Sequence, residues 1–361
     1  MKKICIVAGA RPNFIKVAPL IRAIDKTEDI CYRLVYTGKS DDPTLEGSLF
    51  DDLQIPRPDA FLDADCENLN ELTGKVMSTF ERYLENNPAD VVIVVDDLAS
   101  TMAAAIVTKK QGLKLAHLVA GTRSFDIKMP KEINRLVIDG LSDLLFTAGM
   151  SNNSITNREG TEQSRVYMVG NILIDNLRFN HNRWQRPTVF DDLSLSEGGY
   201  IVFTLNRRAL ISDVENLRSM LQSMVEKVGS VPIIAPLRGK AKDIVCRLLA
   251  DMEGGKRVNV VEPLGYLEFG YLTAHAKGIV TDSGNVAEEA TFNGVPCITL
   301  NSYTEHIETV KVGSNVLVGE DAAQLSQAVE AIVAGDRKPC AIPERWDGRS
   351  AERIVSILLN V

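Results

Sequence analysis

The stretch that decides the architecture is Gly278–Leu300, GIVTDSGNVAEEATFNGVPCITL. Gly278–Thr281 is a short apolar run that reads as a strand. It breaks at Asp282-Ser283-Gly284-Asn285, passes into a helical segment over Val286–Asn293, and returns to an apolar run at Pro296–Leu300. Strands that are apolar throughout, rather than alternating, are buried on both faces, and a helix between two of them is the crossover of a parallel pair.

Working outward, the same unit recurs along most of the chain. Candidate strands are Ile4–Ala8, Cys31–Tyr36, Val91–Val95, Lys114–Leu118, Leu144–Ala148 and Arg165–Val169, then Tyr200–Thr204, Val231–Pro236 and Val258–Val261. Amphipathic segments fall between them at Phe14–Asp25, Leu69–Glu85, Ser100–Lys110, Glu132–Leu141, Ser212–Val228, Tyr266–His275 and Ala323–Ala334. The alternation pauses at Phe179–Ser196, a polar stretch containing Pro187, and then restarts. The expected fold is α/β: two doubly wound parallel-sheet domains, residues 1–180 and 185–345, with a last helix in 346–361 packing back on the first.

Composition agrees with this. At 361 residues, 45% hydrophobic and 24% charged, the chain can bury two cores. A net charge of −8 argues against nucleic-acid binding through a basic surface, yet allows a local basic pocket. The six cysteines are scattered without a CxxC pair, which fits a reducing cytoplasm better than a disulfide framework. The apolar run after Met1-Lys2-Lys3 is too short for a signal peptide or a membrane span, so a cytoplasmic protein without membrane insertion is expected.

In doubly wound sheets ligands bind beyond the carboxyl ends of the strands, so the loops there carry the chemistry. In Asp282-Ser283-Gly284-Asn285, the serine, the glycine and the first N–H groups of the following helix form a phosphate cradle, and Glu289 follows on that helix to accept ribose hydroxyls. Ordinary Ser/Asp capping would also give this pattern. The first loop, Ile4–Lys16 (ICIVAGARPNFIK), sets Gly9, Arg11 and Lys16 around a helix start, either as an anion site or as a plain turn with surface cations. It has neither the dinucleotide fingerprint nor a P-loop. Arg207 follows a strand and either faces a diphosphate or is solvated.

Together these loops resemble the non-hydrolysing UDP-N-acetylglucosamine 2-epimerase family. Its G-x-RP-x-x-IK loop is matched by Gly9–Lys16, and its TDSGG-x-x-EE loop by Thr281–Glu289 with Asn285 at the second glycine. HLVAGTR (His117–Arg123), PKEINR (Pro130–Arg135), VGNILID (Val169–Asp175), YLEF (Tyr266–Phe269) and TEHIE (Thr304–Glu308) follow in family order. The resemblance implies a GT-B fold, two Rossmann-like domains with the ligand cleft between them. It implies that Arg11, Ser283, Gly284 and Glu289 bind UDP, that Phe269 packs on uracil, and that Lys16 lies near the reacting sugar or its phosphates. It further implies a homodimer and a place in polysaccharide biosynthesis. His306 stands where the family has an arginine, which weakens one diphosphate contact or makes it pH-dependent.

Other positions depart from the family's catalytic set. HVEAGLR has become HLVAGTR, with Val119 for glutamate; PEE has become PKE, with Lys131 for glutamate beside the retained Glu132; GHR has become LNR, with Asn206 for histidine. The family aspartate survives as Asp97, but the preceding H-G is Val95-Asp96. Asp97, Glu132 and Lys131 are therefore the catalytic candidates, Lys131 either as a base of lowered pKa or, the favoured reading, as an ion-pair partner of Asp97 or Glu132. Asp96-Asp97 offers an acidic pair for a metal, but Asp97 has a metal-free family role, and neither metal nor cofactor is expected. The leading expectation is a UDP-sugar-binding member with a rebuilt site that disfavours standard epimerisation, leaving an altered isomerisation, a hydrolysis or negligible turnover. A working epimerase, and a glycosyltransferase or regulatory partner on the same fold, are the alternatives.

Overall fold

The computed structural model describes residues 1–45 and 47–361. Val91–Val95 is wholly buried, as a strand without polar alternation must be when helices cover both faces of its sheet. It is β4 of a seven-stranded parallel sheet ordered β3-β2-β1-β4-β5-β6-β7. The strands are β1 (Lys2–Ala8), β2 (Ile30–Tyr36), β3 (Ala60–Phe61), β4, β5 (Lys114–Ala120), β6 (Leu144–Thr147) and β7 (Val166–Met168). Cys5, Val7, Val92 and Val94 share a core with Phe80 and the small residues Ala103–Ala105 of two covering helices.

A second parallel sheet has the order β10-β9-β8-β11-β12-β13. It consists of β8 (Ile201–Phe203), β9 (Ile233–Pro236), β10 (Val258–Val261), β11 (Gly278–Thr281), β12 (Cys297–Thr299) and β13 (Asn315–Leu317). Alternate residues divide between two cores, Ile201, Phe203 and Val280 on one face and Tyr200, Val202 and Ile279 on the other. In each sheet the strand order reverses direction beside the first strand of the unit, between β1 and β4 and between β8 and β11. Crevices for ligands open at such switch points.

The chain divides into two compact units, residues 1–179 with 344–361, and residues 180–343. The terminal helix Ser350–Asn360 belongs to the first, where the Asp175 carboxylate accepts the backbone N–H groups of Ser350 (3.1 Å) and Ala351 (2.8 Å). Gly170 has φ 101°, and a Cβ there would lie 2.2 Å from the Arg345 carbonyl oxygen, so this approach requires glycine. Among the described residues no helix is long and apolar enough to cross a membrane.

The segment expected as one helix over Ser212–Val228 is two, Arg208–Ser212 and Val214–Lys227. They break at Asp213, whose side chain accepts from the Asn216 N–H and caps the second. The polar stretch 179–196 holds a short helix, Val189–Asp192, anchored by the buried Phe190.

Candidate functional site

In the first unit the chain beyond β1 and β4 is tied together by side chains. Helix Arg11–Ile24 begins just after Gly9, and Asn13 Oδ1 accepts the N–H groups of Gly9 (2.8 Å) and Ala10 (3.2 Å). Asn13 Nδ2 donates to Asp96 Oδ2 at 2.8 Å, and Lys16 Nζ donates to Asp96 Oδ1 at 2.6 Å. Asp96 has φ 58°, a left-handed conformation that aspartate tolerates better than most residues. Its N–H donates to the Leu118 carbonyl (3.3 Å) and its carbonyl faces His117 Nε2 at 2.9 Å.

His117 lies within β5, which runs two residues past the expected end at Leu118 to Ala120. A carbonyl can only accept, so Nε2 carries a hydrogen. The other ring nitrogen is 2.5 Å from Asp139 Oδ1. Asp139 also accepts from the Gly121 N–H (3.0 Å) and pairs with Arg123 at 2.7 Å. Burial pushes the Asp139 carboxyl up, but His117 and Arg123 outweigh it and hold the group below the usual range. Val119, between these residues, has φ 75°, a strained setting for a β-branched side chain.

Asp97, Lys131 and Glu132 are brought together around Arg135. Asp97 Oδ2 accepts from Arg135 Nε (2.9 Å) and Nη2 (2.5 Å), while Lys131 Nζ lies 3.3 Å from Oδ1. Glu132 accepts from the Ser124 N–H (2.8 Å), the Ser124 hydroxyl (2.9 Å), the Phe125 N–H (3.0 Å) and Arg135 Nη1 (3.1 Å). For Asp97 burial raises the pKa, but Lys131 and Arg135 prevail and lower it. For Glu132 the donors of the 124–125 turn likewise overcome burial. Lys131 is the ion-pair partner of Asp97. Arg11 stands at the first position of its helix, half-buried.

In the second unit the β8 and β11 ends are joined by Asp282, whose Oδ2 accepts the N–H groups of Asn206 (2.7 Å) and Arg207 (2.6 Å). Its buried Oδ1 has no partner among the described residues, and burial, outweighing those N–H groups, raises its pKa. The Arg207 guanidinium donates to Asn301 Oδ1 and lies 3.8 Å from Glu320.

Helix Gly284–Asn293 follows Ser283, which sits at the cap position without a side-chain cap bond, so the first helical N–H groups are not taken by it. Ser283, Gly284 and Asn285 are half-buried. A Cβ on Gly284 would fall 2.7 Å from the His306 ring, whose Nδ1 is 2.9 Å from Glu288 Oε1. Glu289 is buried; desolvation and the neighbouring Glu288 push its carboxyl up to about 8. Phe269, on helix Tyr266–Ala274, is half-buried against the core that contains Val286 and Ala287.

Of the residues singled out in the sequence, the fold brings together Asp97, Lys131 and Glu132 in the first unit and sets Gly284 beside His306 in the second. The sequence did not reveal that Asp96 accepts from both Asn13 and Lys16, that Asp282 links β8 to β11, or that Glu288 holds His306. Their partners lie far apart in the chain, and only the topology joins them.

Over residues 22–359 the chain matches the UDP-N-acetylglucosamine 2-epimerase family. It belongs to that family. The UDP-N-acetylglucosamine 2-epimerase of Methanocaldococcus jannaschii is 34% identical across 99% of this chain and 98% of its own length. The UDP-2,3-diacetamido-2,3-dideoxy-D-glucuronate 2-epimerase of Pseudomonas aeruginosa is 33% identical across 88% of each. The crystal structure of the Methanocaldococcus jannaschii enzyme in complex with UDP-GlcNAc and UDP has a TM-score of 0.87 to this chain, with 33% identity over 99% of it and 100% of the enzyme. Two Rossmann-like parallel-sheet domains, the GT-B type of this epimerase family, are thus the fold of this chain.

Proposed function

We propose that the protein binds a UDP-sugar and does not epimerise it at C2 by the family's route. The observation that carries this reading is the engagement of both retained carboxylates, Asp97 by Arg135 and Lys131, and Glu132 by the 124–125 turn and Arg135. Both are held below the usual carboxylate range, as ionised partners rather than proton donors.

The family reaction removes the C2 proton as UDP leaves C1, and delivers a proton to the opposite face as UDP returns. It needs acid/base groups on both faces, each worth ~10²–10⁴ in rate. Val119 cannot carry a proton, Lys131 is paired with Asp97, and Asn206 is a neutral amide.

UDP binding is supported by the open helix start at Ser283–Asn285 with Glu289 behind it, and by relatives of this length crystallised with UDP-GlcNAc and UDP. Arg11, Asn206, Arg207, Phe269 and His306 complete the proposed ligand contacts, and Lys16 flanks the sugar or its phosphates. A cytoplasmic homodimer serving polysaccharide synthesis is part of the same proposal. Incubation with UDP-GlcNAc in equilibrium dialysis, followed by chromatography, tests it: binding without UDP-ManNAc or released UDP is expected, and ordinary turnover would sink it. A second reading, epimerisation with Lys131 as proton carrier, draws on the loose 3.3 Å Lys131–Asp97 pair and requires that Lys131→Ala abolish turnover.

A further inference from the structure

Lys16 is a buried cation in the second turn of helix Arg11–Ile24, at the β1/β4 switch point, in the motif that the family resemblance places near the reacting sugar or its phosphates. In this chain its ammonium is 2.6 Å from Asp96 Oδ1, with both side chains largely shielded from water (7% and 16% exposed). The second carboxylate oxygen is bound by Asn13 Nδ2. The backbone at Asp96 is left-handed and is fixed through its own N–H and carbonyl to Leu118 and His117. None of these backbone restraints uses the side chain, and the family motif has glycine here, the residue best suited to this φ. The carboxylate is thus an addition to a turn that forms without it.

Its effect is on charge. A shielded ion pair presents little net field to a ligand, whereas an unpaired shielded ammonium attracts an anion strongly. Neighbouring cations are matched in the same way, Arg135 by Asp97 and Glu132, and Arg123 by Asp139 and Glu159.

We infer that Asp96 is a specificity-determining residue: by holding Lys16, it makes the sugar end of the site accept an uncharged 2-acetamido hexose and discriminate against a sugar bearing a carboxylate. This rests on the proposed UDP-sugar binding and deepens it, since relatives of similar identity are named for both kinds of sugar.

Calorimetric titration of the full chain with UDP, UDP-GlcNAc and UDP-glucuronate tests the inference, on the wild type, Asp96→Gly and Asp96→Asn. Glycine suits the backbone, and asparagine keeps the side-chain size while removing the charge. The wild type is expected to bind UDP-GlcNAc at least tenfold more tightly than UDP-glucuronate. Either variant should narrow that ratio about tenfold, in a salt-dependent manner. A wild-type preference for UDP-glucuronate, or a ratio unchanged within twofold in both variants, overturns the role of Asp96 while leaving UDP-sugar binding intact. Failure of the wild type to bind any of the three ligands overturns the functional reading itself, and this inference with it.

Discussion

Arg135 holds Asp97 by two donors on one oxygen, Nε at 2.9 Å and Nη2 at 2.5 Å from Oδ2, and so leaves only Oδ1 facing Lys131. The same guanidinium reaches Glu132 at 3.1 Å, so one cation bridges two carboxylates that have little access to water, with Lys131 as the second cation beside Asp97. The two carboxylates retained from the family's set are, in this chain, bound in an ion-pair network.

Removing the Arg135 cation takes away the salt-bridge partner of Glu132 and leaves Asp97 with Lys131 alone. Arg135→Met is expected to cost about 3–5 kcal/mol of stability, read from urea denaturation. A loss under about 1 kcal/mol would mean that water already solvates the cluster.

Glu289 gives a pH dependence of definite sign. Its folded-state pKa, about 8, lies above the ordinary 4.5, so the fold favours the neutral acid. The contribution is fully present below pH 4.5 and is lost as pH rises through 8. Glu289→Gln should remove a loss of roughly 3–4 kcal/mol between these limits, so its advantage over the wild type grows from pH 5 to pH 8. Parallel urea curves for the two proteins at both pH values would count against a neutral buried Glu289.

Gly284→Ala directs a methyl group at the His306 ring, which must swing away from Glu288. UDP affinity is expected to fall about tenfold, by analogy with loss of a charge-assisted contact at a helix start. Adding His306→Ala to make the double variant should cost little further affinity, since the displaced ring has already left its place. If the single variant binds UDP as tightly as the wild type, the Ser283–Asn285 turn is not the phosphate site.

Restoring the family's groups tests whether chemistry was lost at these positions. Val119→Glu, Lys131→Glu and Asn206→His in one chain are expected to raise C2 exchange of UDP-GlcNAc at least ~10²-fold over any single change, since groups that act as a unit are not additive. Equal rates in the triple variant and the wild type would place the deficit elsewhere.

The sheets were legible because their strands are continuous apolar runs: Val91–Val95, Val258–Val261 and Gly278–Thr281 begin and end where composition predicts. The edge strands Ala60–Phe61 and Asn315–Leu317 escaped, being too short to carry a pattern. Helix Met150–Arg158 escaped as well, since MSNNSITNR buries only Asn152 and Thr156 and shows no apolar stripe. At the sites, the turn Ser283-Gly284 was legible from local chemistry. The Lys16–Asp96 pair was not, because its members are 80 residues apart and meet only once β1 and β4 lie side by side.

The most direct measurement is proton NMR of UDP-GlcNAc with the purified protein in heavy water, beside a nucleotide-only control. Binding without C2 chemistry predicts broadened ligand lines with the C2 proton signal undiminished. Disappearance of that signal together with the growth of UDP-ManNAc would contradict the account and make Lys131 the first residue to replace.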